Sequence, residues 1–399
     1  MFNFLQAGSI TSVPGFFAGA VYAGIKKEEN LDLAILCCET LCNVASVFTT
    51  NQIKAAPVIL SKKHLSSKTA QAIVVNSGCA NACLAEQGLA DATEMAKLTA
   101  AKLSISVEDV LVASTGLIGA PLPMNKIKSG ISKINVNENG GHQLARAMMT
   151  TDMKPKEVAV EINAGDFKYT IGGVTKGSGM IHPHMATMLC FIGTDAVVDI
   201  DFLQIALNKA IESSFNLIDV DGDTSTNDCV FLLANGLAKN KCIDSATGKE
   251  FQDALTEVCI KLAKLMVRDA EGASKFIEVT VEGASRLSDA QQAARAICSS
   301  SLVKTAAYGN DPNWGRILVA LGMTKIELVE AKLDIYINDI CVFKQGHPVT
   351  FNNEKLRTLM SNSEDLRIKV GLNSGIATAT AWGSDLSEEY VRINSAYST

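Results

Sequence analysis

Apolar and polar positions divide this chain into short apolar runs and longer amphipathic stretches. Runs bounded by turn residues at 16–22, 31–38, 45–49, 57–60, 72–75 and 110–113 each predict a strand. Residues 89–103 carry apolar side chains at helical spacing (Ala90, Met95, Leu98, Ala101) among Lys and Glu, and predict an amphipathic helix. Further helices are expected at 141–149, 201–213 and 288–307, a short one at 317–321, and the longest at 251–267. Alternation at 158–162 and 169–172 predicts a hairpin, residues 277–281 a strand, and 390–394 a strand that keeps the C-terminus from fraying. Periodicity alone therefore gives a mixed α/β fold.

At 399 residues the chain exceeds one ordinary hydrophobic core, so two domains or a core with an appended lobe is expected. With 47% hydrophobic and 20% charged residues it has the balance of a soluble globular protein. A net charge of −6, with no dense Lys/Arg run, argues against nucleic acid as a partner. Residues 1–8 have neither a basic start nor a sustained apolar core, so no secretory signal is expected there. No window approaches 18 uninterrupted apolar residues, so no membrane span is expected. The 11 cysteines are odd in number and sit mostly within apolar runs, which fits a reducing, cytoplasmic compartment. Cys-x-x-Cys spacing is absent, and no metal is expected.

The chemistry concentrates between Lys176 and Asp195. A glycine-flanked approach, a proline and then a hydroxyl before an apolar run put Thr187 at a loop-to-strand junction. A threonine hydroxyl is a weak nucleophile without a neighbouring base, and its own α-amine can be that base once the preceding peptide bond is cut. An α-amine titrates at roughly 7.7–8.0, so a useful fraction is neutral near pH 7. Cleavage between Ala186 and Thr187 would create such a group. Taken alone, Ala186-Thr187-Met188-Leu189 reads more often as the start of a buried strand.

Other candidates are weaker. His182 and His184 flank a proline without Cys or carboxylate neighbours, which does not favour a metal site. Asp219 to Asp223 opens like a calcium loop, but Thr224 stands where that loop needs glycine and Val230 where it needs glutamate. The acids and hydroxyls from Asp219 to Asp228 are expected instead to cap helices and order loops. Glycines at 172–179 lack the order of a phosphate-binding loop, so no nucleotide cofactor is expected.

The segment from Lys176 to Asp195 resembles the cleavage and nucleophile region of the ornithine acetyltransferase family, also called glutamate N-acetyltransferase. Other blocks fit in the family's order: Val75-Asn76-Ser77-Gly78, Ser114-Thr115-Gly116-Leu117-Ile118-Gly119, Thr150-Thr151-Asp152, Val220-Asp221-Gly222-Asp223-Thr224-Ser225-Thr226-Asn227-Asp228, Gly309-Asn310-Asp311-Pro312-Asn313-Trp314 and Ile393-Asn394-Ser395-Ala396-Tyr397-Ser398-Thr399. With Gly15-Phe16-Phe17 to Gly24-Ile25-Lys26 and Val47-Phe48-Thr49-Thr50-Asn51 with Ala55-Ala56-Pro57-Val58 before them, they cover the chain nearly end to end. The resemblance implies a layered αββα sandwich of the N-terminal-nucleophile kind, with a catalytic domain at about 1–283 and a smaller α/β lobe at about 284–399. It also implies self-cleavage into an α chain, 1–186, and a β chain, 187–399, assembled as a heterotetramer of two of each.

By the same resemblance Thr187 is the nucleophile, and the Thr115 side chain and Gly116 N–H form the oxyanion hole. Thr150, Lys176, Thr187, Glu271, Asn394 and Thr399 line the substrate pocket. Without the resemblance, Glu271 reads as a solvated helix-end carboxylate and the last residues as a frayed end. N-acetylornithine and glutamate together ask for one cation and one anion, and Lys176 suits a carboxylate while Glu271 suits an ammonium. The implied reaction moves acetyl from N-acetylornithine to glutamate, with acetyl-CoA left open as a second donor. Two positions depart from the pattern: His182 often has Ala in its place, and His184 has Asn or Asp. Both lie on the leaving side of the scissile bond, so they bear on cleavage and not on the nucleophile. The rival readings are an amidase or aminopeptidase on a related scaffold, and an uncleaved binding protein.

Overall fold

The computed structural model describes residues 2–165, 167–182 and 188–396. A 16-residue strand, Leu33–Phe48, organises the larger of two sheets. Its first half pairs with Phe16–Val21 and Thr69–Cys79, and its second half with Cys229–Ala234. Between Cys37 and Cys42 the register slips, and the strand bends there. Beyond Cys229–Ala234 the sheet continues through Leu189–Thr194, Phe167–Lys176, Lys156–Ala164 and Phe2–Phe4; beyond Thr69–Cys79 it ends in Val110–Leu117.

The bend folds the nine-stranded sheet into two layers that face each other. Phe16, Leu36, Ile73, Val75 and Leu111 from one layer meet Val174, Leu189, Phe191 and Phe231 from the other. Phe191 and Phe231 stack with centroids 5.9 Å apart, and Phe48 meets Phe231 edge-on at 5.7 Å. Outside one layer, Leu33, Ile35, Val74 and Val112 are covered by the helices Ala56–His64, Ala85–Leu103 and Met124–Lys133. Outside the other, Val160, Ile171, Ile192 and Leu232 are covered by Ile200–Glu212 and Lys249–Arg268. This is the αββα layering the resemblance implied. Strands buried on both faces read as unbroken apolar runs, which is why residues 31–38 show no alternation.

A second, seven-stranded sheet runs in the order His347–Pro348, Ile340–Lys344, Asp334–Ile337, Asp365–Gly371, Phe276–Ala284, Ala377–Ser384 and Ile218–Asp219. Helix Leu287–Cys298 packs against its two long central strands, and its apolar side chains join the core beneath Lys249–Arg268. The short strand Ile218–Asp219 pairs in parallel with Trp382–Gly383. The loop after it therefore starts on the second sheet and re-enters the first at Cys229.

Four expectations change. Residues 57–60 lie in helix Ala56–His64, not in a strand; Pro57 sits in the first turn, where its missing N–H leaves no bond unmade. The runs at 31–38 and 45–49 belong to one continuous strand, because the polar stretch between them is the bend. Residues 288–307 form two helices, Leu287–Cys298 and Ser301–Tyr308, divided where Ser300 caps the second. Residues 390–394 lie in helix Glu388–Ala396, started by the Ser387 hydroxyl, which accepts the Tyr390 N–H at 3.1 Å.

Phe231→Ala would open a cavity between the two layers and is expected to lower stability by about 3–5 kcal/mol. Urea unfolding measures this, and a loss below about 1 kcal/mol would contradict a core shared by the layers.

Candidate active site

Parallel strands Thr69–Cys79 and Val110–Leu117 run together to the edge of a cleft. There the register breaks beside Gly78, and Gly116 adopts φ +125°. A Cβ on Gly116 would lie 2.3 Å from the Gly78 carbonyl carbon, so only glycine permits this approach. Across the cleft, strand Phe167–Lys176 ends by pushing Lys176 into the interior, where its Nζ donates to Thr115 Oγ1 at 3.1 Å. After Lys176 the chain runs close to Glu271: a Cβ on Gly179 would lie 2.5 Å from the Glu271 carboxyl carbon. Helix Glu388–Ala396 then supplies Asn394, whose Nδ2 donates to Glu271 Oε2 at 2.8 Å.

Thr115, Gly116, Thr150, Lys176, Glu271 and Asn394 thus line one cleft of about 120 Å³. They come from five separate stretches of chain. Thr187, the partner Ala186 of its scissile bond, His184 and Thr399 lie outside the described residues. A second cleft, of about 930 Å³, is bordered by Lys26, Lys27, Lys126 and Arg146 and shares Thr150 with the first.

Charge in the cleft is controlled by burial and by neighbours. Burial pushes the Lys176 ammonium below its ordinary range, while the carboxylates of Asp152, Asp228 and Glu271 draw it back up. For Asp152 burial acts upward, yet the ammonium groups of Lys176 and Lys156 and several donated hydrogen bonds leave it well below the usual carboxylate range. Burial raises Asp228 well above that range despite the Met188 N–H that it accepts at 2.9 Å.

The acids between Asp219 and Asp228 hold residues 180–182 on one side and Met188 on the other. Asp221 accepts the N–H groups of Met180 at 2.6 Å and Ile181 at 2.9 Å, and Asp228 accepts that of Met188. Asp219 receives His182 Nδ1 at 2.8 Å and the buried Lys304 ammonium at 3.0 Å. These acids order loops, as their clustering with hydroxyls predicted, but among the described residues none of them caps a helix. Among the described residues no group of three or more His, Cys, Asp or Glu could hold a metal ion.

Sequence reasoning missed Asp152 as an organiser of the cleft. Its carboxylate accepts the N–H of Gly177 at 2.7 Å and of Thr150 at 3.0 Å, and takes the buried Lys156 ammonium at 2.6 Å. Nothing in the sequence singled out Lys156, which opens strand Lys156–Ala164.

A mixed α/β fold whose charged cleft combines a buried lysine, a carboxylate and a hydroxyl beside a strand-end glycine fits an enzyme of group transfer on small charged molecules. Residues 17–399 match the ArgJ family, and the chain belongs to it. The arginine biosynthesis bifunctional protein ArgJ of Dehalococcoides mccartyi is 51% identical over 100% of this chain and 99% of its own. Its namesake in Symbiobacterium thermophilum is 47% identical over 98% of this chain and 99% of its own. The crystal structure of the Bacillus halodurans protein of the same name is 44% identical, with a TM-score of 0.51, over 52% of this chain and 98% of its own. The family expected from the ordered motifs is the family found.

Gly116→Ala is expected to lose about 1–3 kcal/mol through backbone strain alone, measured by urea unfolding. A wild-type midpoint would mean that the Gly78 strand gives way freely.

Proposed function

We propose that this protein is a glutamate N-acetyltransferase of arginine biosynthesis, moving acetyl from N-acetylornithine to glutamate through an acetyl ester on Thr187. The observation that carries this reading is the gathering of a buried cation, Lys176, an anion, Glu271, and the Thr115–Gly116 donor pair around one cleft. In this mechanism the chain first cuts itself between Ala186 and Thr187. The freed α-amine takes the hydroxyl proton as Thr187 Oγ1 attacks the acetamide carbonyl of N-acetylornithine. Negative charge collects on the former carbonyl oxygen, and the Thr115 hydroxyl and Gly116 N–H donate to it. Donors aimed at such charge are typically worth several kcal/mol. Collapse expels ornithine as the amine, which takes a proton from the α-ammonium. The glutamate amine then attacks the ester by the same route reversed, giving N-acetylglutamate and free Thr187.

Lys176 and Thr150 receive the substrate carboxylate, Glu271 and Asn394 the distal ammonium of ornithine, and Thr399 is assigned to substrate binding by the family resemblance alone. The Lys176 ammonium, already favoured by the protein's own carboxylates, gains a further partner in the ligand carboxylate. Cleavage before Thr187 is supported by the Bacillus halodurans structure, whose chain aligns over nearly all its length yet spans 52% of this one. The piece 187–399 is just over half of the chain. The pieces 1–186 and 187–399 then share a catalytic domain, about 1–283, with the lobe at about 284–399, and pair into a heterotetramer of two α and two β chains in the cytoplasm. Acetyl-CoA as a second donor is supported by the word bifunctional in the relatives' names and by the larger cleft beside Thr150. No resident cofactor takes part.

Initial-rate kinetics with varied N-acetylornithine and glutamate test this reading. Parallel double-reciprocal lines are expected, with release of ornithine much slower when no amine acceptor is present. Intersecting lines would contradict the acetyl-enzyme, and undiminished acetate release without glutamate would make the protein an amidase.

A further inference from the structure

The Lys176 ammonium is almost wholly buried, and its hydrogen bond to Thr115 has a direction. An ammonium only donates, so Thr115 Oγ1 is the acceptor and its own O–H is left to donate elsewhere. A neutral amine could accept instead, and the Thr115 hydrogen would then turn toward Lys176 and away from the cleft. The charge on Lys176 therefore decides where that hydrogen points.

A line of alternating charge leads outward from beside Lys176. Asp152 accepts the N–H of Gly177, the residue after Lys176, at 2.7 Å, Lys156 lies 2.6 Å from Asp152, and Asp269 lies 2.6 Å from Lys156. Lys156 is 1% exposed and Asp269 7%. Asp269 is fixed in turn by the N–H groups of Met153 at 2.9 Å and Lys154 at 3.2 Å, and the Lys154 carbonyl also accepts from Lys156 at 3.2 Å. Asp152 ties this line to the cleft through the N–H groups of Thr150 and Gly177, one on either side. The other charges that act on Lys176 are Asp228 and Glu271, which favour its ammonium, and Lys156 and Lys26, which oppose it.

We propose that Asp152, held by Lys156 and Asp269, is a positioning residue that keeps Lys176 charged and so turns the Thr115 hydroxyl hydrogen into the cleft. The geometry gives Lys156 a purpose that neither strand pairing nor substrate contact supplies. The proposal rests on the acyl-transfer reading for its catalytic consequence, but the state of Lys176 can be read independently of turnover.

The test is a titration of the full-length protein labelled with 13C at lysine Cε, followed by NMR, with the Lys176 signal assigned through Lys176→Met. In Asp152→Asn the Lys176 titration is expected to move down by about 1–3 pH units, the usual effect of an opposite charge at close range. The alkaline limb of kcat/KM should move with it, and kcat should fall more than KM rises. A role confined to stability would lower the unfolding midpoint and leave the titration where it was. A folded Asp152→Asn protein with an unmoved Lys176 titration would overturn the proposal. Should that variant fail to fold, Asp269→Asn, at the outer end of the line, leaves Asp152 in place with Lys156 less compensated. A smaller downward movement is expected there, and none would overturn the proposal equally. If the wild-type protein showed no acetyl transfer while these titrations moved as expected, the failure would lie with the proposed function.

Discussion

Two lysines and one carboxylate, Lys156, Lys176 and Asp152, are buried together beside the cleft. None of them could remain charged there alone, since an isolated buried ion costs far more than a fold can spare. Together, and with Asp269 at the outer end, they alternate in sign and leave few donors or acceptors unmatched. The backbone between Thr150 and Lys156 is shaped around this cluster, and so is the turn that follows Lys176. Removing one member would strand the others, which ties the shape of the cleft to a charge balance as well as to packing.

The layered fold makes that balance reachable. Because one bent strand belongs to both layers, the ends of Thr69–Cys79 and Val110–Leu117 in one layer meet the end of Phe167–Lys176 in the other. Strand ends deliver a main-chain N–H at Gly116 and a long side chain at Lys176 to the same place. The second sheet contributes differently. Its short edge strand Ile218–Asp219 anchors the acidic loop, and helix Glu388–Ala396 brings Asn394 back onto Glu271. The cleft is thus closed by elements that are far apart in the chain.

Much of this was legible in the sequence, for identifiable reasons. Thr115-Gly116, Lys176 and Glu271 stand in motifs whose order along the chain is itself informative, and the structure gathers them. The amphipathic helices were plain because one face is buried and the other wet. The helix at Ala56–His64 was hidden because its first turns, Ala56 to Leu60, are an unbroken apolar run that short-range pattern could not separate from a strand. The C-terminal helix was hidden because five alternating residues look like a strand until Ser387 is recognised as its cap. Asp152 and Lys156 were hidden for a deeper reason. The Lys156 partner Asp269 lies 113 residues away, and nothing in a lysine's local sequence announces that it will be buried.

The proposed chemistry depends on self-cleavage that frees Thr187 as the nucleophile. Intact mass of the purified protein under denaturing conditions, wild type beside Thr187→Ala, tests it most directly. Two fragments divided before Thr187 are expected in the wild type and one uncut chain in the variant. A single uncut wild-type chain would contradict it.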